Sequence, residues 1–328
     1  MIFEAQPRDA RTLILMLASR IAVVGATGAV GRVVLDLLHE RGHDDVRAFA
    51  SSRSVGTRIG ALTVEEATAD SLGAGDIDVC FFSVGTEASL ELVPVAAAAG
   101  ALCVDKSSAF RLEDGVPLVV PEVNGARALE HSGVVANPNC CTIPLTMVLA
   151  PLRDVAGLRR VRVATYQSAS GAGTGSVDRL LGESPEEHDL RMDWAFDGVE
   201  LDEEAKIRAE TRKILELPEL PISATCVRVP VVVGHAEAVW VETTEALSAS
   251  EAEQILGSAP GLSLEPFPTP SKAVGRDDVL VGRIRRDLAA ENGLALFLAC
   301  DNLRKGAAQN AIQIAELAVR MAYQPRST

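Results

Sequence analysis

The sequence predicts a two-domain α/β chain. The first domain has a parallel sheet covered by helices, and the second is an α+β domain with a mixed, largely antiparallel sheet. The chain has 328 residues, which suits about two domains. Short β-branched runs alternate with helical patterns over the first half, as in parallel sheets. Strand patterns dominate the second half, where Asn292-Gly293 is a typical hairpin turn.

The first strand leads into a glycine-rich turn and an amphipathic helix. Ile21–Val24 is the strand, and a G-x-x-G-x-x-G run follows it. Glycines let the backbone approach a pyrophosphate, whose charge is stabilised at the N-terminus of the next helix. This pattern is typical of a Rossmann-type dinucleotide-binding domain. The residues predicted to contact the cofactor here are Gly25, Thr27, Gly28, Ala29, Val30 and Gly31.

The end of the second strand, Val46 to Ala50, indicates which dinucleotide is bound. Sites for NAD usually carry a carboxylate about 20 residues past the glycines, where it binds the ribose hydroxyls. Here that place holds Arg53 among serines, including Ser54. A guanidinium can bind a 2′-phosphate through two hydrogen bonds. Arg53 and Ser54 therefore predict NADP rather than NAD.

The remaining elements fix the predicted domain limits. Residues 20–140 and 304–328 are assigned to the NADP-binding domain, because an amphipathic helix from Lys305 to Met321 is expected to return to it. Residues 141–303 form the second domain, and residues 1–19 are predicted to lie outside the fold. Further predicted strands are Asp78–Val84, Ala101–Asp105, Val134–Ala136, Val161–Tyr166, Cys226–Val233, Ala238–Glu245, Val279–Arg285 and Leu294–Ala299.

Composition excludes several classes of partner. The formal net charge is -14, so general binding of nucleic-acid phosphate is not expected. No apolar run reaches the roughly 18 residues of a membrane span. The six cysteines form no close-spaced framework, which favours free thiols in the cytoplasm. His39 and His43 have helical spacing, but Gly42 lies between them, and no metal site is predicted.

Cys140 is the candidate nucleophile. It follows the strand Val134–Ala136 and stands where Thr142 to Leu149 begins a predicted helix. The dipole at a helix N-terminus favours a thiolate, which is the reactive form of cysteine. The next residue, Cys141, points about 100 degrees further round a helix and is expected to be a core thiol.

Several motifs in register resemble those of the aspartate-semialdehyde dehydrogenase family. They extend from Ala22 to about Glu316, in the order used by that family. The segments are Asn137–Pro144, Val104–Arg111, Val119–Asn124, Tyr166–Gly173, Arg228–Pro230 with Gly234-His235, Val281–Asp287 and Asp301–Ala308.

The resemblance implies a reaction and the residues that catalyse it. The family interconverts 4-phospho-L-aspartate plus NADPH with L-aspartate 4-semialdehyde, NADP+ and inorganic phosphate through a cysteine thioester, in the synthesis of lysine, threonine, methionine and isoleucine. Cys140 matches the nucleophile and His235 the acid–base residue. Gln167 matches the amide that orients the reacting group. Asn139 and the backbone N–H of Cys140 are expected to hold the developing oxyanion.

Substrate and cofactor contacts follow from the same resemblance. Arg228 is expected to bind the substrate α-carboxylate, Glu210 the α-amino group, and Arg111 with Lys213 the phosphate. Gln167 is also counted among the substrate-binding residues. The resemblance further implies a catalytic second domain that dimerises, giving a homodimer or a tetramer. Additional cofactor contacts are assigned to Ser83, Ser170, Gly171, Asn302 and Asn310.

Two other readings of the sequence stay open. One is an acyl-phosphate or acyl-CoA reductase of the same fold, such as N-acetyl-glutamyl-phosphate reductase. The other is a non-catalytic NADP-binding paralogue. The chain also departs from the family between Gly182 and Glu210, where it carries 11 acidic and 3 basic residues in a segment of unusual length. That segment is interpreted mainly as a solvated face.

Overall fold

The structure is a computed structural model that describes residues 20–43 and 45–322. Residues 20–138 with 307–322 form one compact unit, and residues 139–306 form the other. The predicted division at residues 140 and 304 lies close to these limits. The predicted N-terminal extension, residues 1–19, falls outside the described residues.

The described residues form the following strands and α-helices. The strands are β1 (Ile21–Val24), β2 (Val46–Ala50), β3 (Arg58–Ile59), β4 (Leu62–Thr63), β5 (Glu65–Glu66), β6 (Val79–Phe82), β7 (Leu102–Asp105), β8 (Val134–Ala136), β9 (Leu158–Gln167), β10 (Ile222–Arg228), β11 (His235–Thr243), β12 (Leu262–Leu264), β13 (Val279–Asp287) and β14 (Gly293–Cys300). The helices are α1 (Ala29–Glu40), α2 (Ala69–Leu72), α3 (Thr86–Ala98), α4 (Pro121–Asn124), α5 (Thr142–Ala156), α6 (Thr174–Gly182), α7 (Asp202–Leu215), α8 (Ala249–Ser258), α9 (Pro270–Ala273) and α10 (Gln309–Ala322).

The first unit contains the predicted parallel sheet. Its strand order is β5-β2-β1-β6-β7-β8, and each neighbouring pair is parallel. The chain runs outward from β1 in both directions, which is the Rossmann arrangement. Ligands of such sheets bind at the carboxyl ends of the strands on either side of this reversal. The loops that follow β1, β2 and β6 lie at that edge.

The glycine turn after β1 needs the absence of side chains at two positions. Gly25 has φ 86°, and a Cβ atom there would lie 2.3 Å from the carbonyl oxygen of Ser83. A Cβ atom at Gly31 would lie 2.1 Å from the carbonyl oxygen of Gly25. The glycines therefore let α1 pack tightly against the turn, as the motif predicts.

The C-terminal helix returns to the first unit, as predicted. Ala308, Ile312 and Ala315 are buried in the same apolar core as Val34 of α1. The predicted single helix from Lys305 is wrong at its start, because Arg304–Ala308 forms a π-helical turn before α10. Such turns are frequent at functional sites.

The second unit contains a six-stranded sheet in the order β10-β9-β11-β14-β13-β12. The pairs β10–β9 and β12–β13 are parallel and the other three are antiparallel, so the predicted mixed, largely antiparallel sheet is confirmed. The predicted strand Cys226–Val233 has wrong bounds, because the observed strand β10 is Ile222–Arg228. β10 ends at Arg228, because Pro230 has no N–H for a ladder and Gly234 turns the chain at φ 96°.

The described part of the chain has no helix that is long and apolar enough to cross a membrane. All six cysteines are free, which confirms the predicted thiols.

Candidate active site

Cys140 lies in the turn that leads into α5. The carbonyl oxygen of Asn139 accepts a hydrogen bond from the N–H of Ile143 at 3.1 Å, so helical bonding already starts at Asn139. The Asn139 side chain accepts the N–H of Cys141 at 2.8 Å. Cys140 is thus held in the first turn of a helix, where backbone dipoles favour a thiolate.

Strand register brings three predicted site residues to one end of the second sheet. Gln167, the last residue of β9, is paired with Arg228 of β10. On the other side of β9, Tyr166 pairs with Ala236, so His235 lies beside Gln167. His235 begins β11 rather than following a strand, which corrects the prediction for its surroundings.

The imidazole of His235 contacts the thiol of Cys140. Its Nε2 lies 3.2 Å from the Cys140 Sγ. The backbone N–H of Ser168 donates to the His235 Nδ1 at 3.0 Å. A backbone N–H can only donate, so Nδ1 is an acceptor in this arrangement and the neutral ring carries its proton on Nε2. That proton points at the sulfur, which is the orientation needed to stabilise a thiolate.

A second group can hold the ring when it is charged. The Ser168 hydroxyl lies 3.1 Å from the His235 Nδ1 and donates to the Asn302 Oδ1 at 3.1 Å. The Ser168 oxygen can accept a proton from Nδ1 in an imidazolium ring. Ser170 and Asn302, predicted to bind cofactor, also bond to each other at 2.9 Å. Within the second unit they support the loop that positions His235.

Glu203 is a site residue that the sequence reasoning missed. Its Oε1 accepts the side-chain N–H groups of Asn139 and Gln167, both at 2.9 Å. Gln167 is fixed at its other end by the Thr165 hydroxyl, which donates to the Gln167 Oε1 at 3.0 Å. One buried carboxyl group on α7 therefore orients both amides that are predicted to be catalytic. No local spacing could have shown this, because α7 and these amides are far apart in sequence.

Asn139 and Glu210, which are predicted to bind the oxyanion and the substrate amine, already form hydrogen bonds within the protein. The backbone N–H of Asn139 donates to the Glu210 Oε2 at 2.7 Å. One side-chain N–H of Asn139 is held by Glu203, which leaves the second for an oxyanion. Glu210 is 1% exposed. Its assignment to the substrate amine, like the oxyanion role of Asn139, stays a prediction.

Two buried carboxyl groups that interact electrostatically with Cys140 have raised pKa values. Burial raises the pKa of Glu203, and the negative charge of Cys140 raises it further, although Asn139 and Gln167 lower it in part. Burial also raises the pKa of Glu237 well above its usual range, as does Cys140. The Cys141 thiol lowers this pKa in part, and neither side-chain oxygen of Glu237 has a nitrogen or oxygen donor within hydrogen-bond distance among the described residues. Protonated carboxyl groups at these positions avoid repelling a thiolate.

Cys140 is the most exposed thiol of this cluster and remains the candidate nucleophile. It is partly exposed, whereas Cys141, Cys226 and Cys300 are buried. Burial raises the pKa of each of these three thiols, which keeps them protonated and inert. The prediction that Cys141 is a core thiol is confirmed.

Arg228 is held from three directions within the second unit. Its Nη1 donates to the Ser168 carbonyl oxygen at 2.9 Å and its Nε to the Asp193 Oδ1 at 3.0 Å. The Trp194 ring lies 4.5 Å from the guanidinium carbon. Gly171 lies between Arg228 and the catalytic ring, because a Cβ atom there would be 3.1 Å from the His235 Nε2 and 3.6 Å from the Arg228 Nη1.

Most of the predicted nucleotide contacts lie in the first unit, and Ser170, Gly171 and Asn302 lie in the second. The Thr27 and Ser54 hydroxyls are 3.5 Å apart, which joins the glycine turn to the loop after β2. Arg53 is exposed in that loop, where Ser52–Ser54 forms a 3-10 turn. Ser83 follows β6 and packs on Gly25. Asn310 is fully buried and gives both amide protons to Val119 and Asn137, so its predicted cofactor contact has no support here.

The two predicted phosphate ligands lie on different units. Arg111 belongs to the first unit, where its guanidinium donates to the carbonyl oxygens of Asn137 and Lys106 at 3.0 and 2.6 Å. Lys213 lies on α7 of the second unit and is half-buried. Their joint role stays a prediction.

A possible metal-ligand set coincides with the nucleophile. The ligand atoms of Cys140, Cys141 and His235 lie within 4.8 Å of one another. A metal ion bound there would coordinate the Cys140 Sγ and the His235 Nε2, so neither atom could react with a substrate. The prediction of no metal is untested.

A Rossmann unit and a cysteine–histidine pair on a second sheet define a class: dehydrogenases with a thiol nucleophile. Comparison with known proteins narrows that class. Residues 20–131 match the semialdehyde dehydrogenase NAD-binding domain, and residues 149–196 and 196–305 match the semialdehyde dehydrogenase dimerisation domain.

Aspartate-semialdehyde dehydrogenase of Corynebacterium glutamicum is 44% identical, over 92% of this chain and 99% of the relative. The enzyme of Bacillus subtilis is 40% identical, over 90% and 96%. The solved structure of aspartate semialdehyde dehydrogenase II from Vibrio cholerae, complexed with ASA, has a TM-score of 0.86 and 38% identity, covering 93% of this chain and 99% of that one. The chain belongs to the aspartate-semialdehyde dehydrogenase family, an oxidoreductase family of the aspartate pathway.

Stability should depend on pH through Glu237. Its pKa is raised on folding, so the native state holds a proton that the unfolded chain releases above about pH 4.3. The stability linked to this proton is fully present below the pKa that Glu237 has in the unfolded chain. It is lost as the pH rises through the higher pKa that Glu237 has in the folded chain. Glu237→Gln stays neutral and should unfold with a free energy higher by on the order of 1 kcal/mol at pH 8, with no gain at pH 4. Urea unfolding at both pH values measures it.

The control for this prediction is Glu242→Gln, on the same strand but facing the other way and paired with Arg159. It should keep the wild-type pH dependence. A Glu237→Gln variant with the wild-type fall in stability between pH 4 and 8 would contradict the account.

We expect Glu203 to affect kcat through its hydrogen bonds to Asn139 and Gln167. Glu203→Ala releases both catalytic amides and should lower kcat on the order of 100-fold, because misplaced groups lose orientation. Glu203→Gln keeps the accepting oxygen and should stay within about threefold of wild type. Steady-state kinetics measure both.

Glu204→Gln is the matched control, because the Glu204 oxygens accept only the backbone N–H groups of Cys226 and Leu201. It should retain wild-type kcat. Equal losses in Glu203→Ala and Glu203→Gln would show that charge, not amide orientation, is what Glu203 supplies.

Proposed function

We propose that this chain is an NADP-dependent, phosphorylating aspartate-semialdehyde dehydrogenase. It would convert L-aspartate 4-semialdehyde, phosphate and NADP+ to 4-phospho-L-aspartate and NADPH, and the reverse. The observation that carries the proposal is the 3.2 Å contact between the Cys140 Sγ and the His235 Nε2. The family relatives named above have the same activity in their names.

The Cys140 thiolate forms a bond to the aldehyde carbon, and the carbonyl electrons move to oxygen. The proton of the Cys140 thiol is held on His235, whose ring is then an imidazolium with its Nδ1–H on the Ser168 hydroxyl. Its Nε2 proton stabilises that oxygen and can pass to it, and the neutral ring takes the proton back as the hydride leaves. NADP+, when bound, would supply the acceptor for the hydride on this carbon. A thioester then remains on Cys140, and its stored free energy permits attack by a phosphate oxygen. The carbon–sulfur bond breaks and the thiolate returns to the His235 N–H.

Two features support NADP as the cofactor. Arg53 and the Thr27–Ser54 contact place a guanidinium and hydroxyls beside the glycine turn. A carboxylate, which would select NAD, does not occupy residues 51–54. The structure of aspartate semialdehyde dehydrogenase with NADP from Candida albicans has a TM-score of 0.73 and 25% identity over 92% of this chain and 99% of that one.

The chain is further proposed to act as a homodimer in the cytoplasm. The match to a dimerisation domain supports self-association, and the choice between dimer and tetramer follows from a mass measurement in solution. The joint presence of Cys140, His235, Gln167 and Arg228 favours an enzyme over a non-catalytic paralogue.

Phosphate dependence tests the proposed reaction. Purified chain, aspartate semialdehyde and NADP+ should form NADPH at a steady rate with phosphate. Without phosphate, a single burst should stop once the thioester has accumulated. Cys140→Ala should form no NADPH above background. Equal steady rates with and without phosphate, or an active Cys140→Ala variant, would falsify the proposal.

Cofactor choice should depend on Arg53. Arg53→Ala should raise the KM for NADP about tenfold, the scale of one lost charged hydrogen bond, and leave kcat nearly unchanged. Arg58→Ala, an exposed arginine of the same unit, serves as the control. An unchanged KM for NADP in Arg53→Ala would mean that the 2′-phosphate is held elsewhere.

A further inference from the structure

Ser168 presents both a donor and an acceptor to one atom of the His235 ring. Its backbone N–H donates to Nδ1 at 3.0 Å, and its hydroxyl oxygen lies 3.1 Å from the same nitrogen. Among the described residues, Nδ1 has no other hydrogen-bond partner. The two groups favour opposite states of the ring, because the N–H needs an Nδ1 without a proton, whereas the lone pairs of the oxygen suit an Nδ1 that carries one.

Asn302 directs the Ser168 hydroxyl so that it can accept a proton from the ring. The backbone N–H of Gly234 donates to the Asn302 Oδ1 at 2.8 Å, and this contact fixes which end of the amide is oxygen, because a backbone N–H can only donate. The Ser168 hydroxyl donates to the same oxygen at 3.1 Å, so its proton points away from the ring. Its lone pairs are then left for Nδ1–H and for the Ser170 hydroxyl, 3.2 Å away.

The hydroxyl removes a limit that the backbone N–H sets on the ring. With that N–H as its only partner, Nδ1 would stay without a proton and the ring proton would stay on Nε2. The Nε2 atom, 3.2 Å from the Cys140 Sγ, could then donate to the sulfur but could not take the proton of a thiol. A charged ring would also place two N–H groups face to face at Nδ1. The ring therefore needs an acceptor at Nδ1 in order to act as a base.

The other ionisable groups near the ring do not supply that acceptor. Cys140 lies at Nε2, and Cys300, which is paired with His235 in the sheet, is a buried thiol whose pKa is raised by burial. Glu237 has a pKa raised by burial, and neither of its oxygens bonds to the ring. The guanidinium of Arg228 also lies near the ring, but it can only donate. Among the described residues no carboxylate contacts Nδ1, so the acceptor there is a neutral hydroxyl.

We propose that Ser168 is a positioning residue that lets His235 act first as a base and then as an acid toward Cys140 and its substrate. In the neutral ring with its proton on Nδ1, that proton is held by the Ser168 oxygen and Nε2 is bare. The thiol S–H bond breaks and its proton bonds to Nε2, which gives a thiolate and an imidazolium ring. The Nε2 proton later passes to the carbonyl oxygen of the substrate. The inference rests on the proposed function and adds a residue to its proton transfer.

The pH dependence of Cys140 alkylation tests this role. Ser168→Ala keeps the backbone N–H and removes the acceptor, so the ring should stay neutral with its proton on Nε2. Iodoacetamide should then alkylate Cys140 about tenfold more slowly near neutral pH, the scale of one lost hydrogen bond to a charged group. The rates should converge with those of wild type at high pH, where the thiol ionises unaided. Ser168→Thr keeps a hydroxyl and should stay within about threefold of wild type.

Thr243→Val is the matched control. Thr243 is also buried and lies at the opposite end of β11 from His235, where its hydroxyl donates to the carbonyl oxygens of Glu245 and Asn292. This variant should keep the wild-type alkylation curve. A wild-type curve in Ser168→Ala would overturn the proposal. A loss by the same factor at every pH would overturn it as well, because it would show that Ser168 only supports its loop.

A second measurement uses the wild-type chain and does not depend on a variant. The chain has five histidines, so the ring nitrogens of His235 can be assigned in an NMR spectrum of isotope-labelled protein by comparison with His235→Ala. Nδ1 should carry a proton at the pH values where Cys140 is alkylated fast. An Nδ1 without a proton throughout that range would overturn the proposal. Neither measurement needs substrate or cofactor, whereas a wild-type chain that forms no NADPH would refute the proposed function.

Discussion

The hydrogen bond between the His235 ring and the Cys140 sulfur is the interaction on which the rest of the site depends. It requires two strands and a helix start to meet: β9 brings the Ser168 N–H, β11 brings His235, and the first turn of α5 brings Cys140. The backbone donor sets the tautomer, the tautomer directs a proton at the sulfur, and the helix dipole adds to the same stabilisation. A small change in strand register would separate these groups.

The surroundings of the sulfur are unusual for an anion, because two buried carboxyl groups lie nearby. Glu203 and Glu237 both have pKa values raised by burial and by the charge of Cys140. A raised pKa lowers the share of charged carboxylate beside the thiolate, and so reduces the repulsion between them. Glu203 also has a structural role, because its Oε1 orients the side chains of Asn139 and Gln167. Among the described residues only the Cys141 thiol supports the Glu237 carboxylate, so its burial opposes folding at high pH.

Most of the fold could be predicted from the sequence, because it follows local patterns. The run of strand, glycine turn and helix predicted the first unit. The alternation of strand and helix patterns predicted its parallel sheet. The errors lie where tertiary structure overrides pattern: Val229 to Val233 is apolar yet leaves the sheet, and the π-helical turn at Arg304–Ala308 has no simple periodicity.

The site could be predicted only in part. Cys140 and His235 were found from their motifs, and their contact confirms that pairing in space. Glu203 and Asp193 were not found, because each acts on a residue more than 30 positions away through a side chain that looks like ordinary helix or loop charge. The assignment of Asn310 to the cofactor stays a prediction, and its amide donates to Val119 and Asn137 inside the first unit.

The central claim is that His235 maintains Cys140 as a reactive thiolate. The most direct measurement is the rate of alkylation of Cys140 by iodoacetamide as a function of pH, in wild type and in His235→Ala, with the modified peptide identified by mass spectrometry. The account predicts fast alkylation of wild type at neutral pH and a curve displaced to higher pH in His235→Ala. Superimposable curves would show that the imidazole does not control the sulfur.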